Sequence, residues 1–233
     1  MKAFLLGAIA AAALATGPAV AADMPLKAPA AAPYVNWTGI YFGGSVGAAR
    51  GDMRDSCFSN GNCVGNADDT SWTGGGHVGI QWQTGQFVIG AEGKWIATDL
   101  NPFNTCPNVT YNCFIHIDSY WTAGARVGYL LGNGLFYATG GYAQSKIDRD
   151  AIVRATGVVA ETWSSTHSGW FIGTGSEWRI TGTGWVLGVE YNHISFGSKT
   201  ATGTLPFAEI LTTKATIDTI QGRVSYLFNW WGR

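Results

Sequence analysis

His193, Ser195 and Asp218 are the residues whose types and spacing could do covalent chemistry. In an extended segment residues two apart share a face, so His193-Ile194-Ser195 sets an imidazole beside a hydroxyl. Asp218, at the start of the last strand-like segment, lies on the same outward side. A hydroxyl nucleophile, an imidazole base and a carboxylate that orients it would form a hydrolytic set. Two facts weaken this reading. Any His-x-Ser in a strand shares a face, and polar residues are ordinary where a strand leaves an apolar band. Gly74-x-Gly76-x-x-Gly79 matches a dinucleotide fingerprint, but no helix follows, so the phosphate cradle is missing. His77, His116 and His167 stand at no metal-ligand spacing with the cysteines and are expected to be hydrogen-bonded polar residues. The expectation is a chain with no catalytic residues, no cofactor and no metal.

Seven charges form a second set: Glu92, Lys94, Arg126, Glu177, Arg179, Glu190 and Arg223. Each falls on the strand face opposite the aromatics. Glu92 and Lys94 oppose Phe87, Ile89 and Trp95; Arg126 opposes Trp121, Val127 and Tyr129. Glu177 and Arg179 oppose Trp170, Ile172 and Trp178, Glu190 opposes Trp185 and Val189, and Arg223 opposes Ile220 and Val224. Charges shut inside a narrow space need partners, since an unpaired one costs about 3–5 kcal/mol. The pattern predicts an internal ion-pair and hydrogen-bond network that fixes the fold. A gated narrow pore for small solutes, in which the pairs switch partners, is the second reading.

The elements that position these residues announce themselves through tryptophan. From Trp72 to Trp82 the chain alternates with period two, apolar on one side and aromatic at both ends. Ten residues at about 3.3 Å each, tilted roughly 40°, rise about 25 Å, the height of the apolar band of an outer-membrane barrel. Trp170 and Trp178 repeat the bracketing, and Trp95, Trp121 and Trp185 supply further positions of an aromatic girdle. Eight such segments are predicted, over about 37–49, 72–82, 87–96, 121–129, 135–144, 170–179, 185–193 and 220–230; the faces of the fifth stay unassigned. Gly-bearing turns at Gln83–Gln86, Gly132–Gly134 and Thr181–Gly184 alternate with long connections over about 50–70, 98–115, 145–165 and 198–214. Short turns on one rim and long loops on the other mark an all-β, closed, eight-stranded antiparallel up-and-down transmembrane barrel. The sheet must close because unpaired backbone in hydrocarbon costs several kcal/mol per group. A lipocalin-like carrier would turn its tryptophans inward instead.

Residues 1–22 read as a signal peptide, a lysine followed by a short apolar run and small residues, with cleavage after Ala21 or Ala22. Residues 23–35, with Pro25, Pro29 and Pro33 among alanines, read as a periplasmic tether; residues 36–233 form the barrel domain. Removing 1–22 takes away Lys2 and moves the net charge from −1 to −2, which is no footprint for nucleic acid. Charged residues make up 12% of the chain, too few for an ordinary soluble surface. Cys57 with Cys63, and Cys106 with Cys113, are expected to form two local disulfides in the first two long loops, although sequence permits three pairings.

Several ordered segments carry a resemblance: Ala22-Asp23-Met24-Pro25-Leu26-Lys27 with its Ala/Pro tether, Asn36-Trp37-Thr38-Gly39-Ile40-Tyr41-Phe42-Gly43-Gly44, and Arg126-Val127-Gly128-Tyr129. Tyr137-Ala138-Thr139-Gly140-Gly141 and the strand from Trp185 to Phe196-Gly197 continue it. The mature chain resembles the outer membrane immunogenic proteins of alphaproteobacteria, the RopB-like porin-family β-barrel proteins. The resemblance implies an outer-membrane barrel without a catalytic site, contributing to envelope integrity and surface contact. Implied partners are outer-membrane lipids and lipopolysaccharide, and the barrel assembly machinery through the C-terminal strand, whose terminal aromatic is Phe228 or Trp230. The His-x-Ser pattern is similar to that of lipid A deacylases built on eight-stranded barrels, but Phe196-Gly197 follow the immunogenic-protein pattern.

Overall fold

A computed structural model describes residues 35–57, 64–105, 110–202 and 210–229. The expected signal peptide, all of the expected tether but Val35, and Trp230 lie outside these residues. So do Cys63 and Cys106, and with them both expected disulfides. The described residues form ten strands: β1 (Gly39–Cys57), β2 (Val64–Thr84), β3 (Phe87–Leu100), β4 (Phe103–Thr105), β5 (Tyr111–Leu131), β6 (Gly134–Val153), β7 (Val159–Arg179), β8 (Trp185–Phe196), β9 (Lys199–Thr202) and β10 (Ile210–Phe228). Each long strand pairs antiparallel with the next, and β1 returns to β10 from Ile40↔Phe228 to Cys57↔Leu211. This closes an eight-stranded barrel in the predicted order; β4 and β9 are short additions on β5 and β10. The three short turns carry Gly85, Gly132 and Gly182 at φ 61°, 61° and 80°, the left-handed region that a side chain disfavours.

The strands run well past their predicted ends, and most of what reads as long polar loop in the sequence is sheet. The stretch 145–165 is largely the β6–β7 hairpin, whose tip turns between Val153 and Val159. The reason is an inversion of polarity along the strands. On β6, Phe136, Ala138 and Tyr142 face out while Tyr137 and Thr139 face in; further on, Lys146 and Asp148 face out and Ile147 and Ala151 are buried inside. On β10, exposed Ile220 and Val224 give way to Asp218 and Lys214, while buried Arg223 and Gln221 give way to Ile217 and Ala215. On β1, Val46 gives way to Arg50 on the outer side, and Ala49 and Met53 are buried inside. A barrel wall meets hydrocarbon at one level and water at the next, so its greasy face changes sides.

Two aromatic belts bracket the apolar band. At the short-turn end Trp82, Trp178 and Trp185 stand outward with Phe87, Tyr129, Phe136, Tyr226 and Phe228, several packed ring on ring: Phe87 on Tyr129 at 5.3 Å, Trp185 on Tyr226 at 5.2 Å and Phe228 on Phe42 at 5.3 Å. At the other end Trp72, Trp95, Trp121 and Trp170 stand outward with Tyr142 and Tyr191, and Trp121 packs on Tyr142 at 5.3 Å.

Candidate functional site in the lumen

The barrel interior is filled in three layers. At the short-turn end Trp37, fully buried, packs with Tyr41, Val88, Leu130, Leu135, Tyr137, Val186 and Leu227. The chain entering β1 is clamped there: Trp37 N–H donates to Gln83 Oε1 at 2.7 Å, and Gln81 Nε2 donates to the Trp37 carbonyl at 2.8 Å. At the opposite end a second apolar cluster includes Met53, Ile96, Leu100, Ile115, Ile117, Ile147, Phe171, Ile194, Phe196 and Ile217. The charges lie between the two clusters.

Six of the seven predicted charges meet in this middle layer. Arg223, from β10, reaches Glu92 on β3 through Nη1 at 3.1 Å and bonds Glu190 on β8 as well. Lys94 bonds Glu190 and lies 3.2 Å from Glu92. Arg126, from β5, bonds Glu177 on β7 at 2.7 Å and stands 3.6 Å from Glu92. Three carboxylates therefore face three cations, and all six side chains are almost wholly removed from solvent. Each acid binds more than one base, so the group links five of the eight staves into one unit.

Arg179 does not join them. Parity along β7 puts it on the inner side with Glu177, but two residues further on it has reached the rim. There its guanidinium bonds the Asn36 carbonyl at 2.6 Å, Asn229 Oδ1 at 2.8 Å and the Thr183 carbonyl at 3.0 Å. Without it the layer balances, where the sequence suggested four bases against three acids.

Two tyrosines complete the network and were not singled out in the sequence. Tyr41 O–H donates to Glu92 Oε2 at 2.8 Å and accepts from Arg126 at 3.0 Å; Tyr137 O–H donates to Glu190 Oε2 at 2.7 Å, and its ring lies 4.0 Å below the Arg126 guanidinium. Each lies directly across from a glycine, Tyr41↔Gly79 and Tyr137↔Gly175. A Cβ at Gly79 would come 2.3 Å from the Tyr41 hydroxyl, and one at Gly175 2.5 Å from that of Tyr137. An inward glycine opposite a tyrosine is the sequence signal that finds them. The glycines of the dinucleotide-like match lie in a strand, β2, as expected, and Gly79 makes room for a ring.

On the outer wall the structure gives His193 and Asp218 a shared hydrogen bond, Nδ1 to Oδ1 at 2.8 Å, beside Trp170. The same Asp218 oxygen accepts from Tyr191 O–H at 2.6 Å. Ser195 is buried in register with Trp170 and Thr216, and among the described residues no hydrogen bond joins it to His193. The other histidines are held by neighbours: His77 by Ser225 at 2.7 Å, His116 by Asn101, and His167 by Ser165 at 2.9 Å. Lipid A from cells expressing the protein is expected to have the same mass spectrum with wild type and with Ser195→Ala; loss of acyl chains that depends on Ser195 would restore the hydrolytic reading.

Residues 4–228 match the family described as Outer membrane protein beta-barrel domain. Among curated protein sequences no relative matches the chain. Solved structures of similar fold include the outer membrane protease OmpT of Escherichia coli, 8% identical, with a TM-score of 0.53 over 82% of this chain and 97% of that one. Another is the outer membrane protein OprG of Pseudomonas aeruginosa, 8% identical, with a TM-score of 0.49 over 83% and 98%. The attachment invasion locus protein Ail of Yersinia pestis is 10% identical, with a TM-score of 0.35 over 80% and 99%. At such identities the likeness to OmpT concerns the fold alone. The span of the family match, the closed eight-stranded sheet and its two aromatic belts make this chain a member of the outer membrane protein β-barrel family, at home in the outer membrane.

Proposed function

We propose that the protein is a non-catalytic structural and surface protein of the outer membrane, of the immunogenic-protein kind, whose filled barrel anchors rigid hairpins outside the cell. The observation that carries this reading is the layered interior: an ion-pair layer sealed between two apolar clusters leaves the lumen to side chains. The apolar band meets lipid and lipopolysaccharide, and the short turns face the periplasm. Phe228 or Trp230 is the aromatic presented to the barrel assembly machinery; Phe228 stands outward at the end of β10 and packs on Phe42. The polar-out, apolar-in upper barrel is a small folded surface in its own right, suited to contact with the environment. Purified protein in planar bilayers is expected to give no single-channel steps. Discrete steps would overturn the filled-lumen reading in favour of a narrow gated pore.

A further inference from the structure

The outer wall between the two belts is not smooth. Across the middle of the band one row of paired residues runs Ile80, Ala91, Ala125, Gly140 and Ile172 on β2, β3, β5, β6 and β7, all on the outward side. Alanine and glycine occupy the three central staves and isoleucine stands on either flank, so the wall sinks into a groove about 19 Å from ridge to ridge, four strand spacings. The groove encloses about 820 Å³, and Trp82 of the short-turn belt and Trp170 of the outer belt stand at its two ends. It therefore lies within the depth that faces hydrocarbon.

The outer end carries polar side chains that the charge layer does not use. Trp170, which lines the groove, has its ring 5.7 Å from that of His193, and Ile172 is paired with His193, which is paired in turn with Asp218. His193 Nδ1 and Tyr191 O–H both bond Asp218 Oδ1, at 2.8 and 2.6 Å. Among the described residues no hydrogen bond occupies His193 Nε2 or Asp218 Oδ2, and each of these side chains is 35% exposed. Beside them Arg50 stands across from Asp218, bonds Asp68 at 3.1 Å and lies 3.9 Å from Asp52. Three carboxylates against one guanidinium leave this patch short of positive charge.

We propose that the groove and its polar end form a docking site for one saccharide-headed lipid of the outer leaflet, a lipopolysaccharide. Its acyl chains lie on the alanine floor, where the medium on the open side is hydrocarbon already, and its sugar meets Trp170, His193 and Asp218. An apolar trough ending in a few convergent polar groups is the chemistry of an amphiphile. The excess of carboxylates selects hydroxyls rather than phosphates, because a carboxylate only accepts and a hydroxyl can donate to it. A second copy does not fit. A twofold contact sets the same patch against itself, and groove on groove leaves a void of twice the size. The site rests on the proposed function only in that its polar end must face the outside of the cell. An epitope inserted after Gly157, in the turn at the β6–β7 tip, and read by antibody on intact cells, tests that orientation separately.

The test is native mass spectrometry of the full chain released from nanodiscs that hold rough lipopolysaccharide among phosphatidylethanolamine and phosphatidylglycerol. One lipopolysaccharide per barrel is expected to stay bound, with phosphatidylglycerol, which has acyl chains but no sugar, retained at least tenfold less. Ala125→Phe, which raises the floor, is expected to cut the retained lipopolysaccharide at least tenfold, and Ala125→Leu at least threefold. Gly44→Leu, outward on β1 where an added Cβ meets nothing nearer than 3.5 Å, should match wild type. Asp218→Ala should cut retention at least fivefold, whereas removing the phosphates from the sugar should not. Mobility on unboiled gels checks that each variant is a closed barrel. The proposal is overturned if phosphatidylglycerol is retained as well as lipopolysaccharide, if the folded Ala125 variants retain as much as wild type, or if Gly44→Leu releases as much as they do. It is equally overturned if Asp218→Ala changes nothing, if dephosphorylation abolishes retention, or if a dimer that Ala125→Phe dissolves appears in place of bound lipid.

Discussion

Replacing Arg223 by methionine is expected to lower the unfolding free energy of the barrel by about 3–5 kcal/mol, the cost of stripping a buried ion pair of one partner. Methionine keeps much of the length and none of the charge. Glu92 and Glu190 then lose one of the two cations they share, keeping Lys94, and Glu177 loses a guanidinium 3.6 Å away. Three carboxylates would face two bases. Removing Glu92 as well, in Arg223→Met/Glu92→Met, leaves two acids and two bases, and most of the loss should return, because apolar replacement of a whole buried pair is often neutral. Arg179→Met at the rim breaks hydrogen bonds to neutral groups only and should cost about 1–2 kcal/mol. Urea titration of the folded protein in vesicles, followed by tryptophan fluorescence and by mobility on unboiled gels, measures all three variants. An Arg223→Met loss no larger than that of Arg179→Met would mean that the network does not hold the barrel.

How much of this could be read in the sequence depends on which physical variable each residue reports. Period two reports the face, and within the bilayer the contrast between faces is steep, so the eight staves, their order and the outward tryptophans were legible. Depth along a strand is not encoded in parity. Arg179 shares its face with Glu177 yet sits at the rim, where water, carbonyls and Asn229 replace the carboxylates. Strand ends were misplaced for a related reason. The alternation continues past the belt with its sign reversed, and a segment such as Lys146-Ile147-Asp148 reads as a polar loop unless the inversion is anticipated. On the fifth predicted strand Leu135, Phe136 and Tyr137 are three apolar residues in a row, which hid the inward Tyr137 and with it half of the tyrosine support for the charge layer.

Trp37 offers the second large effect, because it closes the other end of the same interior. Its indole is wholly buried among Val88, Leu130, Leu135 and Leu227, and emptying that space with Trp37→Ala is expected to cost about 3–5 kcal/mol. The clamp around it cannot relax to refill the cavity: Asn229 Nδ2 bonds the Asn36 and Thr38 carbonyls at 2.8 Å each, and Gln81 and Gln83 hold Trp37's own backbone. Trp37→Phe should behave differently. The indole N–H is buried with no acceptor among the described residues, a burden of about 1–3 kcal/mol that phenylalanine lacks. That gain offsets the lost ring volume, and the variant should lie within about 1 kcal/mol of wild type in the same urea titration. A Trp37→Phe loss as large as that of Trp37→Ala would show that the indole N–H has a partner and that the base is wetter than its packing implies. Neither variant should conduct in planar bilayers, since the ion-pair layer and the upper apolar cluster still stand above the opened base. Steady current through Trp37→Ala would make Trp37 the gate.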